Sequence, residues 1–279
     1  MRAWARGAFC FLLTAAVPAV ADGPQRVVSM NLCADQMALL LVGPERIASV
    51  SFLGADPAES PLAHMTDGIA VNHGLAEEVI AAQPDLVLAG RYTTSFAKAM
   101  LKRLGYNVVE VGSPDTIAGI HETFAEVGSV LGVPERAAAL LEDMDRRLGA
   151  VSQMMAGRPS RSAIVYDANG FTVGRPGLAD EVMTLAGLDN KAPELGIGAY
   201  GQVPLESVLT VQPDIIVRLV YRPDAPSIAS EAMRHPALKI MFDDRPPLSV
   251  PGQLFTCGTP LIAAAAEAMA NALVESGVP

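Results

Sequence analysis

Few cations, a single tryptophan and little cysteine mark this chain. Its 279 residues carry 20 Lys and Arg against 30 Asp and Glu, a formal net charge of −10. With no surplus of Lys and Arg to neutralise phosphates, nucleic acid is excluded as a partner. No basic amphipathic stretch is present to lie on a membrane surface. The phosphate-cradling G-x-x-x-x-G-K-[ST] loop is missing, and so is the G-x-S-x-G elbow of a hydrolase. Gly196-Ile197-Gly198-Ala199-Tyr200-Gly201 matches a dinucleotide fingerprint by letter. That mechanism needs a strand before it and a helix N-terminus directly after it. Here Asn190-Lys191-Ala192-Pro193-Glu194 precedes and Pro204 follows, so the run reads as a flexible loop. The four histidines, His64, His73, His121 and His235, are widely spaced, whereas a bare metal ion wants several converging ligands. His73 and Glu77 have helical spacing, yet Gly74 leaves His73 in a loop. Cys33 opens a helix, where a thiol can be acidified, but no histidine adjoins it. An enzyme is not indicated.

Long apolar runs are scarce too. The one that stands out covers residues 7–20 and falls short of the ~20 residues a spanning helix needs. Arg2 and Arg6 precede it, and Ala19-Val20-Ala21 offers small residues before Asp22. This is the pattern of a secretory signal peptide, residues 1–21, cleaved after Ala21. Cys10 lies inside the run, so no lipoprotein attachment site is visible. The mature chain is expected in an oxidising periplasmic space, retaining Cys33 and Cys257 of the three cysteines.

What is present is ordinary globular composition, 51% apolar, in a chain longer than one modest core takes. An internal repeat divides it. Glu77-Glu78-Val79-Ile80-Ala81-Ala82-Gln83-Pro84-Asp85-Leu86-Val87-Leu88 reads like Glu206-Ser207-Val208-Leu209-Thr210-Val211-Gln212-Pro213-Asp214-Ile215-Ile216-Val217. The offset is 129 residues (206 minus 77), and Tyr92 and Tyr221 share it. Each copy predicts a short helix stopped before proline and then a buried, parallel-type strand. A period this long is a domain and not a solenoid unit.

Around the first copy the pattern predicts strands at 26–30, 46–51, 86–89 and 107–111, alternating with helices at 34–42, 94–104 and 116–131. The second half predicts a strand at 163–166 and helices at 178–186, 227–234 and 260–274. Alternation of this kind implies α/β architecture, two doubly wound Rossmann-like lobes. Between them Pro134–Met155 reads as one helix with proline at its first position. Leu140, Leu141, Met144, Leu148, Val151 and Met155 mark an apolar face, and charged residues cover the rest. At ~33 Å it is a stiff spine. The expected organisation is an N-terminal lobe at 22–132, the spine at 133–157 and a C-terminal lobe at 158–279.

The twin E-x-V-[IL]-x-x-x-P-D-[LI]-[VI]-[LV] segments and the spine resemble the ABC-importer receptors for cobalamin, ferric siderophores and haem. Arg26-Val27-Val28-Ser29, Arg46-Ile47-Ala48-Ser49-Val50-Ser51 and Leu104-Gly105-Tyr106-Asn107-Val108-Val109 extend the likeness over the whole mature chain. The resemblance implies a monomeric periplasmic receptor with no cofactor of its own, whose lobes close little because the spine resists hinging. Its ligand is a metal chelate held between loops at the carboxyl ends of strands, which open α/β sheets predict independently. On those loops the candidate ligand-binding residues are Asn31, Phe52, His73, Arg91, Tyr92, Arg175, Tyr200, Arg218 and Phe255. His73 or Tyr92 is a candidate haem axial ligand. Tyr200 stands where cobalamin receptors place a tryptophan, and this chain's only tryptophan, Trp4, falls in the signal. That departure, with Arg91, Arg175, Arg218 and Arg222 near the cleft, tilts the expectation toward an anionic ferric chelate. The family's permease-docking acids map to Glu77 and Glu206, which also read as first-turn helix acids facing the dipole. Cys33 and Cys257 both sit where a strand end turns into a helix, and by the resemblance face the cleft from opposite lobes. An even count in an oxidising compartment favours a disulfide between them; two buried thiols, or two thiolates on the ligand's metal, are the competing readings. A bare transition-metal receptor and a secreted hydrolase are the alternative functions.

Overall fold

The computed structural model describes residues 23–91, 93–221, 235–236 and 247–275. The expected signal peptide at 1–21, Tyr92, Arg222 and the helix expected at 227–234 lie outside them.

Strands β1 (Val27–Ser29), β2 (Ile47–Ser51), β3 (Ala70–Asn72), β4 (Leu86–Gly90) and β5 (Val108–Val111) form a parallel sheet in the order β3-β2-β1-β4-β5. Parallel strands need crossovers; α1 (Leu32–Leu41), α2 (Ala76–Ala82) and α3 (Ser95–Arg103) lie in them, and α4 (Ile117–Val130) follows the last strand. Val27, Val28, Leu86, Val87 and Leu88 have no solvent exposure. Strands covered on both faces must be apolar throughout, not alternating. Side-chain caps fix two helix starts. Asn31 Oδ1 accepts from the Cys33 amide at 3.0 Å, and Thr116 Oγ1 accepts from the Gly119 amide at 3.0 Å, each satisfying a donor the helix leaves open.

The second half repeats the plan. Strands β6 (Arg161–Val165), β8 (Leu188–Asn190), β10 (Ile215–Val220) and β11 (Leu248–Pro251) make a parallel sheet in the order β11-β10-β6-β8. A separate antiparallel ribbon pairs β7 (Phe171–Val173) with β9 (Tyr200–Gln202). Helices α6 (Leu178–Leu185), α7 (Leu205–Val211), the single turn α8 (Gln253–Thr256) and α9 (Ile262–Glu275) complete it. In both sheets the chain winds outward in two directions from a central pair, β1/β4 and β6/β10.

The helix α5 (Pro134–Met155) has the bounds its sequence predicts, and Ala137, Leu141, Met144, Leu148, Val151 and Met155 are buried. Leu140, expected on that face, is half-buried at its rim. The five larger buried side chains contribute roughly 1.5–3 kcal/mol each by burial. One apolar cluster runs from Val27 and Met37 through this stripe to Val165 and Val217, so the spine belongs to the core and is not a linker. Its polar side is tied down as well. Arg147 Nε and Nη2 reach the two carboxylate oxygens of Glu267 on α9 at 2.8 and 2.6 Å, a bidentate fork.

The repeat has a chemistry that its letters did not disclose. Gln83 and Gln212 close α2 and α7 in left-handed conformations, φ 48° and 45°, where a residue before proline was expected to be extended. The aspartate after each proline then grips the backbone where the lobe's first strand begins. Asp85 accepts from the amides of Gln25 and Arg26 at 2.7 and 2.9 Å, and Asp214 from the amide and hydroxyl of Ser162 at 3.0 and 2.8 Å. Five strands were missed in the sequence: β3, β7, β8 and β9 have three residues each and β11 has four, too few to display a period of two. The Gly196–Gly201 run is also more ordered than a flexible loop. Gly196 caps a 3₁₀ turn at φ 75°, and the run enters β9. A Cβ on Gly174 would stand 2.4 Å from the Gly198 carbonyl oxygen, so the two segments need glycine to pass.

Candidate functional site

Because the strands of each sheet are parallel, the residues that follow them gather along one carboxyl-terminal edge. On the first sheet that edge carries Asn31 after β1, Phe52 after β2, His73 after β3 and Arg91 after β4. Phe52 is 48% exposed, and its ring stacks on His73 with centroids 5.6 Å apart and planes 19° from parallel. His73 Nδ1 lies 2.9 Å from Glu78 Oε1, and the His73 amide donates to Glu78 Oε2 at 2.7 Å. The histidine's bond to it, first among the causes, holds the Glu78 carboxyl below its ordinary range. The carboxylate that meets His73 is therefore Glu78 and not Glu77, whose spacing suggested the pairing. Asn31 is chiefly structural: it caps α1, and a Cβ on Gly90 would fall 2.5 Å from its side chain. Arg91 is exposed.

Beneath this edge lies a buried polar nest. Asp35 on α1 is fully buried; its carboxylate accepts from the Ser51 amide at 3.0 Å and from the Ser51 hydroxyl. Burial pushes its carboxyl up to about 7, against the opposing effect of hydrogen bonds from Ser29 and Ser51. Gly54 closes over it: a Cβ there would meet Asp35 Oδ2 at 2.4 Å. The nest thus sets the path of the loop that carries Phe52.

On the second sheet the edge carries Asp167 after β6, Tyr221 after β10 and α8 after β11. Arg218 Nη2 lies 3.6 Å from Asp167 Oδ1, an ion pair longer than a hydrogen bond, and its buried Nε meets no protein acceptor, while Asp167 accepts from the Ala168 and Leu219 amides at 2.8 and 3.1 Å. Arg175 is engaged more closely, at 2.8 Å from Asp180 and 3.7 Å from Asp189. Two of the four arginines expected to offer positive charge are thus paired with the protein's own carboxylates. Tyr200 stands on the β7–β9 ribbon, 74% exposed. Phe255 is half-buried and packs against the apolar core.

Tyr221 is the residue the sequence reading passed over, although its offset from Tyr92 marked it. It is 38% exposed, and a Cβ on Gly252 would touch its ring at 2.6 Å. Burial raises its hydroxyl's pKa, a hydrogen bond with the Thr256 side chain lowers it, and the charges of Asp167 and Glu59 raise it further. Glu59 belongs to the first half, so the two carboxyl edges confront each other here. They are also joined: Cys33 and Cys257 form a disulfide with Cα atoms 5.2 Å apart. Glu77 and Glu206 occupy equivalent first turns, on α2 and α7, and both are exposed. Among the described residues no cluster of three metal-ligating side chains occurs, and no helix is long and apolar enough to cross a membrane.

Comparison with known proteins agrees with this geometry. Residues 27–241 match the family model described as periplasmic binding protein. A cobalamin-binding protein of Halobacterium salinarum is 26% identical over 197 residues, covering 70% of this chain and 53% of the relative. The chain thus spans about half the length of the curated relatives it matches. Among solved structures, a periplasmic haem-binding protein from Pseudomonas aeruginosa superposes with a TM-score of 0.71 at 21% identity, covering 89% of this chain and 92% of that one. An ABC-type Fe3+-hydroxamate transport protein from Saccharomonospora viridis gives 0.67 at 21% identity, covering 90% and 93%.

Proposed function

The chain belongs to the periplasmic binding protein family, and from that premise we propose that it is a receptor delivering a metal chelate to an ABC importer. The chelate lies between the two carboxyl edges, against the exposed aromatic faces of Phe52, Tyr200 and Tyr221. Rings of this kind suit planar or chelated ligands with an apolar rim. Glu77 and Glu206, one on each half, engage the permease.

The observation that carries the choice of ligand is the commitment of Arg175 to Asp180 at hydrogen-bonding distance, with Arg218 in a looser ion pair to Asp167. Cations already neutralised inside the protein offer little to an anionic guest, and desolvating an unpaired charge is costly. The arginines in the sequence tilt toward an anionic ferric chelate; their pairing favours a chelate with little net charge. A ferric siderophore of the hydroxamate type meets that requirement, since three hydroxamates neutralise Fe3+. Cobalamin is the second reading, favoured by the relative from Halobacterium salinarum. Haem with ionised propionates and ferric catecholates rank below both.

Titration of the purified protein with a ferric trihydroxamate, cyanocobalamin, haemin and a ferric catecholate, followed by calorimetry, tests this. The trihydroxamate or cyanocobalamin is expected to bind at least tenfold tighter than the two anionic chelates. The reverse order would refute the charge argument. No chelate binding tighter than ~10 μM, together with tight binding of bare Zn2+ or Mn2+, would move the protein to the metal-ion receptors. Turnover of an ester would move it to the hydrolases.

A further inference from the structure

We propose that the Cys33–Cys257 disulfide is a covalent staple set in the floor of the cleft, joining the halves independently of α5 and holding Tyr221 in place through Thr256. Four observations converge on it. Cys33 lies in the first turn of α1, directly beyond the carboxyl end of β1, and Cys257 follows α8, beyond the carboxyl end of β11. They are 224 positions apart in the chain and 5.2 Å apart at Cα, so the bond joins one carboxyl edge to the other. The adjoining backbone is in contact as well: a Cβ on Gly258 would lie 2.4 Å from the Pro114 carbonyl oxygen. Glycine is required there because the segment after Cys257 presses on the loop before α4. Nearby, Glu181 of α6 accepts from the Ile117 amide at 2.7 Å, capping α4 from the other half.

The consequence for binding runs through Thr256. This residue immediately precedes Cys257, and its segment packs on the tyrosine: a Cβ on Gly252 would meet the Tyr221 ring at 2.6 Å, and the Thr256 side chain is placed to reach the Tyr221 hydroxyl. A tyrosine packed along its ring in this way loses little rotamer freedom when a ligand lands on it, which is preorganisation.

The tyrosine's role as a ligand platform rests on the proposed function; the staple does not, and the tests are chosen to separate them. Hydrogen exchange at the Ile117 and Ile120 amides is compared between the oxidised protein, the dithiothreitol-reduced protein and Cys33→Ser/Cys257→Ser. At least tenfold faster exchange is expected without the bond, with β4 and β10 protection unchanged as the control for folding. Equal protection at α4 would overturn the staple. Gly258→Ala, with the disulfide intact, should accelerate the same amides and supplies a second route should the serine variant not fold. Nitration of Tyr221 by tetranitromethane, located by peptide mass, reads the tyrosine without any ligand. It should rise at least threefold in Thr256→Val and on reduction, and stay at the wild-type rate in Thr256→Ser. Unchanged nitration would refute the hold on Tyr221. Dissociation of cyanocobalamin and of a ferric trihydroxamate should quicken several-fold in Thr256→Val, with association little altered. Unaltered dissociation of a bound probe would remove Tyr221 as a platform. Failure of the wild type to bind either probe would remove it too, along with the ligand reading, and leave the staple to be judged by exchange.

Discussion

Replacing Asp35 by asparagine should stabilise the protein at neutral pH, because a fully buried carboxyl whose pKa is pushed up to about 7 resists ionisation in the fold. In the unfolded chain the same group titrates near the ordinary 3.8. The folded state therefore holds more protons than the unfolded one between these values, and stability falls as pH rises through them. The benefit of burying a neutral acid is complete below the unfolded pKa and gone above about 7. That displacement corresponds to a penalty of roughly 4 kcal/mol at pH 8 and less than about 1 kcal/mol at pH 4. Asparagine removes the titration and keeps the shape. Its Oδ1 can accept from the Ser51 amide, and its Nδ2 can donate to the Ser51 hydroxyl, replacing the contacts the carboxylate makes. Imperfect geometry discounts the gain, so Asp35→Asn is expected to gain about 2 kcal/mol or more at pH 8. The measurement is urea unfolding of both proteins at pH 4 and pH 8. A wild type that loses stability across this range while the variant changes less supports the reasoning. A variant less stable than wild type at pH 8 would refute it, since the carboxylate would then be ionised and its bonds from Ser29 and Ser51 would outweigh burial.

The residues that follow a simple period were legible in the sequence, and those that depend on partners were not. The amphipathic face of α5 is long enough to show its own repeat, and proline fixes its first turn, so its bounds could be read directly. Asp85 and Asp214 were visible as letters of a repeated motif, but the amides they hold come from 59, 60 and 52 positions away. Arg175 and Arg218 illustrate the same limit more sharply. A cation count near a cleft is readable; whether each cation is already neutralised depends on Asp180, Asp189 and Asp167, which only the fold brings within reach. Glu78 was hidden beside Glu77 because helical spacing suggested i to i+4, whereas His73 precedes the helix and meets the carboxylate five positions on. For the cysteines, the oxidising compartment favoured pairing, but three readings stood open until the Cα distance fell within the range a disulfide spans.

Three further outcomes follow from named contacts. Gly54→Ala places a methyl group 2.4 Å from Asp35 Oδ2 and should cost about 1–3 kcal/mol in chemical denaturation, as overpacking does. Reversing both exposed acids, Glu77→Lys with Glu206→Lys, should abolish uptake in cells while calorimetric affinity for the ligand stays unchanged; uptake that survives would exclude the docking role. The last concerns the repeat. Asp85 holds two donors just before β1 and Asp214 two on β6, and those donors are solvent-exposed, so water can replace the lost carboxylate. Asp85→Ala and Asp214→Ala should therefore each cost only roughly 1–2 kcal/mol. The two sites share no partner, so their costs should add in the double variant to within about 0.5 kcal/mol. Because one apolar cluster threads both sheets through α5, the double variant should still unfold in a single transition. Two separated transitions would mean that the spine does not couple the halves, however continuous the core between them.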